Sequence, residues 1–216
     1  MPIQDPLVLI VGVGLLSLLP FMAVVVTSFS KLVVVFSLVR NALGLQQVPP
    51  NIVLNGLAMV LSMYIMAPLA NQIMQQSEGQ LTSGNVKTGE LITIIGNARE
   101  PLRKFLEKHV QPRERDFFVL SAKKIWPEDL AANLKADDLL VLIPAFTVSE
   151  LTAAFKIGFL VYLAFVVIDL VVANILAAMG MMMFSPTVVS IPLKLLLFVM
   201  LDGWAKLIHN LILTYQ

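Results

Sequence analysis

The sequence predicts an all-α, integral membrane-type protein built from two long helical hairpins on either side of a water-facing, mainly helical insert. Three observations predict it. From Asn41 to Ser77 there is no charged side chain, and from Ile157 to Met183 the only one is Asp169, so both stretches exceed the roughly 20 residues that cross a bilayer core as helix. Between Glu78 and Asp138, by contrast, stand ten basic and ten acidic residues. Composition agrees: 58% of residues are hydrophobic, 13% are charged and the mean hydropathy is +0.86, outside the balance of a soluble domain.

Leu7 to Phe29 is the first candidate span. Its apolar core is longer than the h-region of a signal peptide, and no small-x-small site precedes a polar start, so the reading keeps it in the mature chain. The turn that follows runs from Arg40 to Asn51 and holds Gly44, the amide pair Gln46-Gln47 and the double proline Pro49-Pro50. Proline fixes its own φ and pushes Val48 away from helix, and Asn51 suits the cap of a helix beginning at Ile52. The second span lies within the charge-free stretch, and Gln75 to Gly89, rich in Gln, Ser, Thr and Gly, reads as a loop leaving it.

In the insert, Leu102, Phe105, Leu106 and Val110 follow helical spacing, with Glu100/Lys104 and Arg103/Glu107 four apart on the other side and Pro101 suited to the first turn. Trp126-Pro127-Glu128-Asp129 reads as the start of a short helix. The third span covers Ile157 to Met183, and the fourth, Ile191 to Leu213, is the weakest because Lys194, Asp202 and Lys206 interrupt it. Each such charge costs about 2.5 to 3.5 kcal/mol at a membrane centre on insertion scales. The expected segments are 1–74 for the first hairpin, 75–140 for the insert and 141–216 for the second hairpin.

Chemistry of the catalytic kind finds no support. Without cysteine there is no thiolate, disulfide or cysteine-ligated zinc, and His109 and His209 have no second ligand at metal spacing. No Ser/His/Asp order, Walker loop or glycine-rich dinucleotide turn occurs, and Gly12 and Gly14 sit inside an apolar segment where glycine permits close helix packing. The reading is therefore of a chain that is not an enzyme and has neither metal nor cofactor. A formal net charge of +1, with no basic stripe, speaks against nucleic acid.

Two features invite a function. Met179 to Pro186 occupies the second hairpin tip, where Met179, Met181, Met182, Met183 and Phe184 flank Gly180 and end at Pro186. Thioether side chains are soft and adapt to changing partners, although methionine also serves simply as lipid-facing or core filler. The second feature is the set of charges in or beside the spans: Lys31, Arg40, Glu150, Asp169, Lys194, Asp202 and Lys206. Unpaired charges away from water are costly, so these are expected as buried pairs within or between subunits, with a proton relay through Asp169 or Asp202 as the alternative. Positive residues near span ends stay in the cytoplasm, and Lys31, Arg40 and Lys194 then put both tips inside and the insert and termini outside.

Several motifs resemble the FliP/SctR family, the major export-gate subunit of type III secretion systems. They are Thr27-Ser28-Phe29-Ser30-Lys31, Arg40-Asn41-Ala42-Leu43-Gly44, Gln46-Gln47-Val48-Pro49-Pro50-Asn51, Ile168-Asp169-Leu170-Val171-Val172-Ala173, Met179 to Pro186, and Lys194-Leu195-Leu196-Leu197-Phe198 through Asp202-Gly203-Trp204. They cover about half the chain and leave out the insert. Gln46-Gln47-Val48-Pro49-Pro50 is more similar to the injectisome branch, SctR, than to flagellar FliP.

The resemblance implies a subunit of the bacterial inner membrane that assembles as an oligomer of its own copies. It implies SctS-like and SctT-like partners, with SctU-like and SctV-like components beyond, and a core raised largely out of the bilayer towards the periplasm. Unfolded export substrates would pass a methionine gasket to which Met181, Met182 and Met183 contribute. The competing readings are a small-solute transporter or ion channel built from two hairpins, and a bare assembly scaffold.

Overall fold

A computed structural model describes residues 24–77, 88–181 and 183–216, together with 14, 17 and 20–22. Met182 and most of the first candidate span lie outside the described residues. From Phe29 onward eight helices carry the described chain: α1 Phe29–Ala42, α2 Asn51–Ser77, α3 Thr88–His109, α4 Pro112–Ile125, α5 Glu128–Ala132, α6 Leu139–Ala178, α7 Pro186–Met200 and α8 Gly203–Leu213. No strand occurs among the described residues. Two helices, Asn51–Gln76 within α2 and Leu139–Ala178, are long and apolar enough to cross a bilayer. In such helices the backbone satisfies its own hydrogen bonds, which lipid cannot do for it.

Several boundaries differ from expectation. The 40 residues of α6 correspond to about 60 Å of helix, roughly twice a bilayer core, because the apolar sequence that feeds it starts at Leu139 and not at Ile157. α2 persists to Ser77 and α3 opens at Thr88, so the expected loop shrinks to at most 78–87, outside the described residues. Pro101 lies inside α3 and not in its first turn; proline removes one N–H from a helix that continues on both sides. The fourth apolar segment is two helices, α7 and α8, bent by 60° at Leu201-Asp202.

Packing divides the chain into two units, one taking residues up to Ser30 with Met63–Glu150, the other Lys31–Ser62 with Leu151–Gln216. In the first, α3 and the beginning of α6 close a core of Leu106, Val110, Leu142, Ala145 and Phe146, with Leu102, Phe105 and Phe118 against it. Burying a side chain the size of Leu106 or Phe146 contributes about 1.5 to 3 kcal/mol where the alternative is water. Polar links pin the same elements. The Gln111 N–H donates to Ser149 Oγ at 3.0 Å, Ser149 Oγ donates to the Ala145 carbonyl at 2.7 Å, and Arg103 bridges Glu100 and Asp137.

In the second unit, α1 buries Leu32, Val35, Phe36 and Val39 at helical spacing. Gly158 of α6 leaves room for Leu38 of α1, whose Cβ lies 2.9 Å from where a glycine-to-alanine methyl would stand. Phe36, Phe165, Phe198 and Trp204 join α1, α6, α7 and α8, with ring centroids 5.5 to 6.1 Å apart in edge or tilted contacts.

Candidate functional site

The two hairpin tips begin with the same backbone device. After α1, the Gly44 N–H donates to the Asn41 carbonyl at 3.0 Å and the Leu45 N–H to the Arg40 carbonyl at 3.3 Å. After α6, the Gly180 N–H donates to the Ala177 carbonyl at 3.0 Å and the Met181 N–H to the Leu176 carbonyl at 2.9 Å. Both are Schellman closures, which need a left-handed residue after the helix; Gly44 has φ 80° and Gly180 φ 72°.

Beyond this point the tips diverge. The first is stapled by Arg40, whose Nη1 donates to Asn51 Oδ1 at 2.6 Å and to the Pro49 carbonyl at 3.1 Å. Asn51 is therefore the first residue of α2 and an acceptor for Arg40, while the Pro50 carbonyl receives the Val53 and Leu54 N–H groups that a cap would precede. Ile191 of α7 packs on Gly44, its Cγ1 2.9 Å from where a Cβ would be.

Among the described residues the second tip has no such staple. Met179 and Phe184 are exposed, Met183 is 99% exposed, Met181 is half-buried, and no atom of the described residues lies within 4 Å of the Cβ position of Gly180. Pro186 opens α7, with Ser185 before it in extended backbone and no side-chain cap bond.

Directly below that tip lies a polar cluster. Lys194 Nζ donates to Asp169 Oδ2 at 2.6 Å and to the Ala42 carbonyl at 3.3 Å. Ser190 Oγ donates to Asp169 Oδ1 at 2.5 Å and is 3.1 Å from the Thr187 carbonyl. Thr187, Ser190 and Lys194 recur on one face of α7, so that face carries the polar contacts. The ammonium meets a carboxylate and the carbonyl end of α1, where the helix dipole is negative.

The remaining charges of interest go elsewhere. Lys31 is buried, its ammonium 3.9 Å above the Tyr215 ring, and Glu150 is buried. Asp202 takes φ 52° at the α7–α8 bend, and both it and Lys206 are exposed, with no ion pair among the described residues. Sequence reasoning missed Ser190, the Ala42 carbonyl, Tyr215 and the Gly158/Leu38 contact. Ser190 and Lys194 are four apart, which offered a weak signal; the others carry none.

A sequence model of the FliP family matches residues 13–211. The chain is similar to the hypersensitivity response secretion protein HrcR of Ralstonia nicotianae, 54% identical over 209 residues and covering 96% of each chain. It is 53% identical over 216 residues to the Yop proteins translocation protein R of Yersinia pestis, covering 99% of this chain and 98% of that one. To the virulence protein YscR of Salmonella typhimurium it is 48% identical over 214 residues, with the same coverage.

Proposed function

The chain belongs to the FliP family, and from that premise we propose that it forms, with partner membrane proteins, a gated channel through which unfolded proteins cross the bacterial inner membrane. Its relatives are secretion, translocation and virulence proteins, and the chain is a membrane subunit of a type III secretion apparatus, of the injectisome SctR kind. The family is a structural component of that apparatus. In our reading it acts as a gate, not a motor, alongside further copies of itself and SctS-like, SctT-like, SctU-like and SctV-like proteins. Segments 1–74 and 141–216 supply the gate hairpins, and 75–140 stands on the periplasmic side.

One observation carries the gate. Met179, Met183 and Phe184 project from a tip that is open around Gly180, while the root of the same tip is tied down through Lys194 and Asp169. A flexible thioether collar on a fixed base can close against ions and still yield to varied side chains. Copies of the chain would each contribute Met181, Met182 and Met183 to the constriction. Replacing these three with alanine in the assembled complex should let ions leak across the membrane. An assembled complex of normal mass that keeps the membrane tight would overturn the reading.

A further inference from the structure

The last helix changes the character of the surface. From Val188 to Met200 every exposed side chain of α7 is apolar, among them Leu193, Leu196 and Val199. At Asp202 the chain enters the left-handed region, turns by 60° and continues as α8. Asp202 at its start and Lys206 and His209 within it follow one another at spacings of four and three, with Asn210 beside them, and all four are exposed. The opposite side of α8 is apolar and covered: Leu211 is buried, and Trp204, Leu207 and Ile208 are half-buried.

A stripe of this composition is a poor neighbour for lipid. Ionisable side chains in membrane segments face protein or a water-filled space, because lipid offers them no hydrogen bonds. Asp202 and Lys206 are one helical turn apart yet make no ion pair among the described residues, so neither neutralises the other. The exposed side of α7 just before the bend has the opposite character, which confines the polar face to the last helix.

We infer that the Asp202–Lys206–His209 face of α8 lines the aqueous route of the transiting chain. The inference rests on the gate reading and names the part of this subunit that the route passes after or before the methionine tip. The chemistry suits such cargo. An unfolded polypeptide carries both charge signs, and a lining with an acid, an amine, an imidazole and an amide offers each a weak contact and holds none tightly, as passage requires.

The chain contains no cysteine, so an introduced cysteine is its only thiol. Lys206→Cys and His209→Cys should react with a membrane-impermeant maleimide in the complete secretion complex. A substrate stalled by a fused folded domain should slow that reaction by an order of magnitude. Leu196→Cys, on the apolar face of α7, should react slowly in both states. Labelling of both positions only after detergent, which means cover by lipid or a neighbouring subunit, overturns the inference, as does labelling that the stalled substrate leaves unchanged. Met183→Cys in the same complexes separates the two readings. Cross-linking of Met183→Cys to the stalled substrate with no protection at 206 and 209 sinks the α8 route and keeps the gate, whereas no cross-link at Met183 sinks the gate as well.

Discussion

Lys194 Nζ lies 2.6 Å from Asp169 Oδ2, yet the two side chains stand in unequal surroundings: that of the lysine is 4% exposed and that of the aspartate 35%. The inequality predicts which partner is harder to remove. Asp169→Asn leaves a buried ammonium with neutral acceptors and no counter-charge, whereas Lys194→Met leaves a carboxylate that is only partly buried and that Ser190 still contacts. Leaving a polar group unsatisfied costs about 1 to 3 kcal/mol, and more for a buried charge. The melting temperature of the detergent-solubilised protein should therefore fall further for Asp169→Asn than for Lys194→Met, and the double variant should sit above Asp169→Asn alone. The reverse order would show that the carboxylate is the group in greater need.

The two tip glycines share a backbone motif and differ in what surrounds them. Gly180→Ala meets only the cost of a left-handed residue, about 1 to 2 kcal/mol. Gly44→Ala meets that cost and Ile191 as well, 2.9 Å away. Thermal unfolding should register a larger loss for Gly44→Ala, and adding Ile191→Ala should recover part of it while doing nothing for Gly180→Ala. Equal losses at the two glycines would argue that α7 does not rest on the first turn.

Much of this architecture could be read before any coordinates, for reasons tied to single residues. The charge-free run from Asn41 and the lone Asp169 made helices of α2 and α6 legible, since an apolar run of that length has few other solutions. Gly44, Gly180 and Pro186 were legible because turn chemistry is local. The 60° bend at Asp202 inside the fourth apolar segment was not legible. Asp202-Gly203 is a turn dipeptide, and that signal was outweighed by the apolar residues on either side. The partners of Lys194 were not legible at all: Asp169 is on another helix, and a carbonyl such as that of Ala42 has no side-chain signature.

Glu100 and Arg103 set a pH dependence in the unit that α3 helps to close. Arg103 Nη2 donates to Glu100 Oε1 at 2.7 Å and Nε to Oε2 at 3.0 Å, and this hydrogen bonding holds the Glu100 carboxyl below the usual glutamate range. A carboxyl with a lower pKa folded than unfolded stabilises the fold above its unfolded value, about 4.3. That contribution is lost as pH falls through the folded value. Glu100→Gln should therefore unfold more readily than the parent at neutral pH, and the two should converge in acid. A gap between them that persists in acid would mean that the glutamate acts through packing and not through its charge.

Gly158 and Leu38 test how closely α1 and α6 approach. A Cβ on residue 158 would stand 2.9 Å from Leu38 Cβ and 3.1 Å from its Cγ, and contact Cδ1 closer still. The end of a leucine can rotate away, but its Cβ moves only with the backbone, so Gly158→Ala has to push the helices apart. Overpacking of this kind costs about 1 to 3 kcal/mol. Leu38→Ala leaves its own Cβ in place and relieves only the Cγ and Cδ1 contacts, so it should recover part of the loss in the Gly158→Ala background and cost stability in the parent. The double-mutant cycle of unfolding free energies should then show coupling, the double variant losing less than the sum of the two single losses. Because α1 ends at Ala42, on the ammonium of Lys194, a wider α1–α6 spacing also draws that carbonyl from its donor. Gly158→Ala should thus lower the additional cost of Lys194→Met, and fully additive losses would separate the two contacts.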